Sequence, residues 1–242
     1  MKRILKLCII IFVIVFITTN ESKAQVSFQI GYSAGFPTGV DSLNYVIDRY
    51  NVTRNYLDES MKNINYLDGF TISMGAIFDY FFMDIGYTGG IQRRSAEGII
   101  SSKKFRRDLK VSNHSFDFNF GLCVTGESKG GVFVGASVHS GLFLINSRVG
   151  EITSSGRIEE DYKNIIFELN LSYGFFVRFC LGNPGLYIQP FVQFSPKGIF
   201  AMDITDLNQA INPNTYTQDP TPLKINPGIF GVKVGFSLIS YN

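Results

Sequence analysis

The stretch Val26–Phe36, VSFQIGYSAGF, places large apolar side chains on every second residue: Val26, Phe28, Ile30, Tyr32, Ala34 and Phe36. Between them stand Ser27, Gln29, Gly31, Ser33 and Gly35. Successive side chains of a strand point to opposite sides, so strict alternation describes a strand whose two faces meet different media. A soluble sheet turns its apolar face inward, whereas a membrane barrel turns it outward to lipid. Deciding between the two fixes the fold class and where the protein resides.

The same alternation returns along the chain. Phe70, Ile72, Met74, Ala76, Phe78 and Tyr80 form a second strand, and Met83, Ile85, Tyr87 and Ile91 a third. The fourth is the clearest, with Phe116, Phe118, Phe120, Leu122 and Val124 set against Ser115, Asp117, Asn119, Gly121 and Cys123. Val132–Val138 and Phe167–Phe179 give a fifth and a sixth, Leu186–Phe194 a blurred seventh, and Phe230–Leu238 an eighth. Pro190 removes a ladder hydrogen bond from the seventh, and a bulge is expected there. An even strand number is what single-chain bacterial barrels require.

The connections decide the question. Strands two and three join within Tyr80–Phe82, four and five through Gly126–Gly131, and six and seven through Gly182–Gly185. The other joins are long: 37–68, 93–110, 146–163 and 196–226. Short and long links alternate, as they do in outer-membrane barrels with periplasmic turns and extracellular loops. A soluble sandwich or a lipocalin-like barrel has no reason to alternate them. The expected fold is therefore an all-β, eight-stranded antiparallel transmembrane barrel.

Charge placement agrees. The face opposite the aromatic one carries Asp79, Asp84, Asp117, Glu168, Arg178 and Lys233. Outward in lipid, a charge near the midplane costs up to about 2–4 kcal/mol, so these six belong in the lumen. An eight-stranded lumen is only wide enough for side chains to fill, and buried charges there must pair. Strand directions put Asp79, Asp84 and Arg178 near the periplasmic end and Asp117, Glu168 and Lys233 in the outer half. The expected result is a charge network that plugs the bore.

The amino-terminal segment reads as a secretory leader over residues 1–24. Met1, Lys2, Arg3 and Lys6 make a positive head, Leu7–Ile17 an apolar run, and Ser22 and Ala24 a small-x-small cleavage site before Gln25. The apolar run is too short for a spanning helix, which needs about 20 residues. Residues 25–242 then form one barrel domain. The formal net charge of +2 gives no footing for nucleic-acid binding. Cys123 and Cys180 lie on strands four and six with one strand between them, a separation near 10 Å by the strand spacing. That exceeds the disulfide limit of roughly 7 Å, so both are expected to be free thiols.

The ending of the leader in SKAQ, the first strand FQIGYSAGFPTG running into a long loop, and the terminal GVKVGFSLISYN resemble the PorT-like outer-membrane β-barrel family, related in architecture to the OmpA and OmpX barrels. The resemblance implies eight strands, a plugged lumen and a last strand recognised by the barrel-assembly machinery, with Lys233, Gly235 and Leu238 matching part of that signal. The chain ends Ser240, Tyr241, Asn242, without the usual terminal Phe. One member of the family is associated with protein secretion across the outer membrane.

Within the second long loop stand Arg93, Arg94, Lys103, Lys104, Arg106, Arg107 and Lys110, against Glu97 and Asp108. Such a cluster suits lipopolysaccharide phosphates or an acidic protein partner, and a solvated loop is the plainer reading. In the first long loop Leu43, Val46, Ile47, Tyr50, Leu57, Met61 and Ile64 fall at helical spacing, which suggests a helix capping the barrel mouth. Ser112 and His114 share an outer face, but catalysis on envelope lipid needs a carboxylate to orient the His. His139 reads as a lumen residue satisfied by hydrogen bonds, with no second ligand at metal spacing. Gly126–Gly131 lacks the Gly-Lys-Ser/Thr ending of a phosphate loop and reads as a turn. The expectation is a non-enzymatic barrel with no cofactor and no metal. It would act through its outer loops as a binding, scaffold or secretion-accessory protein. An envelope-lipid enzyme and a small diffusion channel stand as the alternatives.

Overall fold

The computed structural model describes residues 25–78, 80–125, 131–156, 158–196, 201–213, 222–226 and 228–239. Residues 1–24, Asp79 and 126–130, on which the expected leader, one lumen charge and one turn fall, lie outside them, as do 240–242. In chain order the elements are β1 (Gln25–Pro37), α1 (Asp41–Val52), β2 (Leu57–Glu59), β3 (Leu67–Phe78), β4 (Phe81–Ile100), β5 (Lys103–Cys123), β6 (Gly131–Ile152), β7 (Ile158–Gly182), β8 (Gly185–Phe194), β9 (Met202–Asp203), α2 (Thr205–Ile211), β10 (Lys224–Ile225) and β11 (Ile229–Ile239). Strands β1, β3, β4, β5, β6, β7, β8 and β11 pair antiparallel around a closed ring, with β1 against β11 sealing it. Strand β2 adds to the upper end of β4, and β9 pairs with β10 outside the wall.

The apolar faces look outward. Phe116, Phe167 and Phe236 are each 67% exposed, and the belt continues through Ile30, Met74, Ile85, Val138, Tyr173 and Phe230. An exposed apolar surface wrapping every strand is compatible with hydrocarbon and not with water. Inside stand Ser27, Gln29, Thr71, Asp84, Ser115, Asp117, Asn119, His139, Arg178 and Lys233, all buried. No helix among the described residues is long and apolar enough to cross a membrane.

Two of the expected long loops are not loops. Residues 93–110 belong to β4 and β5, which stay paired from Phe81–Leu122 up to Ile100–Lys103 and turn through Ser101 and Ser102 alone. Both serines have positive φ, 50° and 65°, the backbone of a two-residue primed turn. Likewise β6 and β7 stay paired from Gly131–Cys180 up to Ile152–Ile158. These hairpins raise one side of the wall well above the apolar belt.

The alternation inverts where they leave it. On β5, Phe116, Phe118 and Phe120 point out and Asp117 and Asn119 in; higher up, Leu109 and Val111 are buried inside while Arg106, Asp108 and Lys110 face out. On β6, Val134 and Val138 face out, whereas Phe143 and Ile145 are buried within. Below the inversion the wall is apolar outside and polar inside. Above it the wall is polar outside and apolar inside, as in a soluble sheet.

The upper interior is a second core. Leu43, Val46, Ile47 and Tyr50 of α1 pack with Met61, Ile64, Leu67, Ala96, Leu109, Val111, Phe143 and Ile145, and with Met202, Ile204, Leu207, Ile211 and Ile225 from the last long connection. Only 41–52 of the expected helical stretch is helix; Met61 and Ile64 lie on extended chain and Leu57 on β2. Two asparagines seven residues apart on one helix face explain this. Asn44 Nδ2 donates to the Ile64 carbonyl at 3.1 Å and its Oδ1 accepts from Ile64 N at 2.9 Å; Asn51 holds Met61 in the same way at 2.8 and 2.9 Å. Each amide takes up both the N–H and the C=O of its residue, which ties Met61 and Ile64 to the helix without a helix of their own.

The bulge expected at Pro190 is absent. β8 keeps one register against β11 through Val232–Pro190, and against β7 it resumes unshifted on either side of Pro190. Pro190 points out of the barrel, so the lost N–H weakens the ladder locally without displacing it. Cys123 and Cys180 are free and buried on β5 and β7, as the strand count required.

Candidate functional site

Three levels fill the barrel from the turn end upward. At the bottom Phe82, Phe133, Phe176 and Tyr187 form an aromatic floor with Cys123, Cys180, Ile77 and Ile239. Phe82 meets the edges of Phe133 and Phe176 at centroid distances of 5.1 and 5.7 Å. Gly31 makes space for Tyr187: a Cβ there would stand 2.8 Å from the tyrosine oxygen.

On this floor lies the lower charge layer. Arg178 Nη1 is 2.7 Å from Asp84 Oδ2, and its Nε donates to Gln189 Oε1 at 2.6 Å. Asn119 Nδ2 donates to the other Asp84 oxygen at 2.6 Å, and the guanidinium covers the rings of Phe82 and Phe176 at 5.2 and 5.4 Å. Strands β4, β5, β7 and β8 supply these groups from separate parts of the chain, so curling of the sheet into the ring is what assembles them.

The middle layer centres on Asp117. Lys233 Nζ donates to its Oδ2 at 2.7 Å, Thr88 Oγ1 to the same oxygen at 2.5 Å and Ser115 Oγ to Oδ1 at 2.7 Å. His139 Nδ1 faces Oδ1 at 2.7 Å, and its Nε2 lies 2.6 Å from Ser137 Oγ. In the neutral ring Nδ1–H must donate to the carboxylate, leaving Nε2 to accept from Ser137. That is the connectivity of a serine-hydrolase triad, an arrangement that goes beyond the lumen positions expected for Asp117 and His139. The signal that would have found it is the Asp117–His139 register pair, with Ser137 on the same face two residues away.

The Asp117–His139–Ser137 hydrogen-bond chain is closed to solvent. Ser137, His139 and Asp117 are each at most 4% exposed. The cavities beside the layers measure about 10 and 20 Å³, room for about one water each. The outer Ser112–His114 pair lacks its carboxylate as well: His114 Nδ1 is held by Tyr87 Oη at 2.6 Å.

Of the six expected lumen charges, four form the two pairs Asp84–Arg178 and Asp117–Lys233. Glu168 is half-buried across from Phe143 and makes no ion pair among the described residues. Asp79 lies outside the described residues.

The seven basic residues of the expected loop divide between the two sides of the β4–β5 hairpin rather than forming one surface. Arg107 turns inward, donating to Ser147 Oγ at 2.9 Å with its guanidinium 5.3 Å from the Tyr50 ring centre. Burial lowers the Arg107 pKa and raises that of the Tyr50 phenol. Arg94 Nε reaches back to the Asn63 carbonyl at 3.0 Å. At the exposed tip, on the face that Arg107 shares, Lys103 pairs with Glu151 at 2.7 Å; on the outer side Lys104 pairs with Glu97 at 2.6 Å and Arg106 with Asp108 at 2.7 Å. Arg93 and Lys110, cross-strand neighbours, have no acidic partner among the described residues. Arg148 and Lys163, from the next hairpin, join them around a groove of about 510 Å³ on the outer wall. Sequence reading missed these two because it assigned them to a different loop.

No family model matches the chain, and no curated protein matches it. Among solved structures it is similar to Ail, the attachment invasion locus protein of Yersinia pestis, in complex with the heparin analogue sucrose octasulfate, at 12% identity and a TM-score of 0.48. Ail alone gives 10% identity and a TM-score of 0.45. In both cases 89% of this chain and 99% of the other are covered.

Proposed function

We propose that the chain is a non-enzymatic outer-membrane barrel with a sealed lumen, acting through its raised hairpins and cap as a binding, scaffold or secretion-accessory protein. One observation carries this reading. The bore is filled by an aromatic floor and two charge layers, and the mouth by an apolar core, so the outer surface is what remains to meet a partner. The buried Ser137 chain supports a structural role for its polar groups, since it has no room for a substrate.

In this reading the leader is removed before Gln25, the barrel-assembly machinery takes the terminal strand, and the hairpins stand outside the cell. The sequence resemblance to PorT-like barrels is what favours the secretion-accessory version. Orientation is testable because both native cysteines are buried. Ser101→Cys, at the tip of the β4–β5 hairpin, is expected to react with a membrane-impermeant maleimide on intact cells. Thr125→Cys, exposed at the opposite end, is expected to react only after the outer membrane is permeabilised. The reverse pattern, or equal labelling of both, would refute the assigned orientation.

A further inference from the structure

We infer that the groove on the outer wall of β4–β7 is a lateral binding site for the phosphorylated sugar headgroup of an outer-leaflet glycolipid. The inference rests on the outer-membrane reading above and adds a ligand class and a place to it.

The register fixes the place of the groove along the strands. Ile91, Ser112, Leu144 and Phe167 are cross-strand neighbours in one row around the wall, the last before the polarity inverts. The next row up is Arg93, Lys110, Asn146 and Ile165, and the one above it Ser95, Asp108, Arg148 and Lys163. Two residues along a strand advance about 6.6 Å. The first cations therefore stand one step along the strands beyond the last row that shows an apolar outer face, and well short of the hairpin tips at Ser101 and Ser102.

The charge is out of balance there. Arg93, Arg106, Lys110, Arg148 and Lys163 line the groove from the outer face, and Asp108 is the one acid that does; Arg94 borders it from the other face, its side chain turned to the Asn63 carbonyl. Asp108 is already engaged by Arg106 at 2.7 Å and Arg148 at 2.8 Å. Arg93, Lys110 and Lys163 are left without an acidic partner among the described residues. Arg binds phosphate through paired N–H donors and Lys as a point charge, and Asn146 supplies an amide for a sugar hydroxyl. A volume of about 510 Å³ falls in the range of sites that hold a small-molecule-sized group. Exposed Ile165 and Phe167 continue downward from the groove, placed to meet acyl chains of the same molecule.

The experiment uses the full mature protein, refolded into phosphatidylcholine vesicles doped with diphosphorylated lipid A or with its dephosphorylated form. Lipid retained after detergent extraction is quantified by mass spectrometry. Wild type is expected to retain the phosphorylated form selectively, and inorganic phosphate is expected not to displace it. Each cation near an anionic surface contributes roughly a fivefold gain in affinity. The Arg93→Gln, Lys110→Gln, Lys163→Gln variant should therefore lose on the order of a hundredfold. These side chains lie outside the barrel packing, so the variant should keep the heat-dependent gel shift of the folded barrel. Loss of that shift in the wild type would contradict the barrel reading instead, which separates the two failures. Equal retention by variant and wild type, or of both lipid forms, would overturn the inference. Displacement by free phosphate would make the groove a site for soluble anions. Binding of a heparin-like oligosaccharide without lipid A selectivity would assign it to a sulfated glycan.

Discussion

Replacing Arg178 with Met is expected to destabilise the folded barrel by about 3–5 kcal/mol, because it strands a buried carboxylate. Asp84 keeps only the Asn119 amide once the guanidinium at 2.7 Å is gone. Gln189 loses its donor, and Phe82 and Phe176 lose the cation over their rings. The measurement is the urea midpoint for loss of the SDS-resistant, heat-modifiable form in lipid vesicles. The control is the double variant Asp84→Leu, Arg178→Met. An apolar pair of similar volume often matches or exceeds a buried ion pair in stability, so the double variant should recover most of the loss. Single and double variants melting alike would mean that lost volume, and not an unpaired charge, is responsible.

Ile47→Asp is expected to release the cap while leaving the wall intact. Ile47 is fully buried between α1 and the upper hairpins. A carboxylate there has no cation to meet within the apolar cluster, and a change of this kind belongs to the class that costs more than about 4 kcal/mol. The cap is held on by that cluster and by a few polar clamps, including Asn212 Nδ2 to the Val46 carbonyl at 3.1 Å and Arg54 to the Ile211 carbonyl. The lower barrel has its own layers and its own ladder. The expected result is rapid trypsin cleavage after Arg49 or Arg54, with the SDS-resistant mobility unchanged. Ile47→Val, which removes one methyl group, should shift cleavage only slightly. Loss of SDS resistance together with the cap would mean that cap and barrel fold as one cooperative unit.

How much of this could be read from residues alone depended on which periodicity was in play. The faces of the spanning strands were legible because one rule governs them: Phe116, Phe118 and Phe120 must meet lipid, so Asp117 and Asn119 cannot. The inward placing of Asp84, Asp117, Arg178 and Lys233 followed from the same rule, whereas the pairing expected of Glu168 is not found among the described residues. Which charge meets which was not legible. Asp117 faces His139 and Arg178 reaches Asp84 through strand register and ring closure, and neither is encoded in any local pattern. The raised hairpins were missed for a more specific reason. Their alternation is real but inverted, with Leu109 and Val111 inward and Arg106 and Lys110 outward. A reader expecting one phase sees the pattern fail at residue 111 and assigns a loop. The turn at Ser101 and Ser102 hid the hairpin further, since primed turns usually advertise themselves with Asn or Gly. The contribution of Leu207, Ile211 and Ile225 to the cap had too short a periodicity to stand out.

The inverted pattern also connects fold to function. The phase change marks the boundary between hydrocarbon and water, and places a cation row directly above the last lipid-facing residues. It also makes the upper wall a soluble-type sheet able to enclose α1 and α2. In the proposed sealed-lumen reading, the charge layers and the cap would both have to move before the bore could open.

Planar-bilayer recording of the purified mature protein tests the sealed lumen most directly. With cavities of about 10 and 20 Å³ beside the charge layers and the mouth closed by the upper core, the expected result is an ohmic baseline with no steps after verified insertion. Stable, reproducible single-channel steps from wild-type protein would contradict the sealed lumen and make a small pore the leading function.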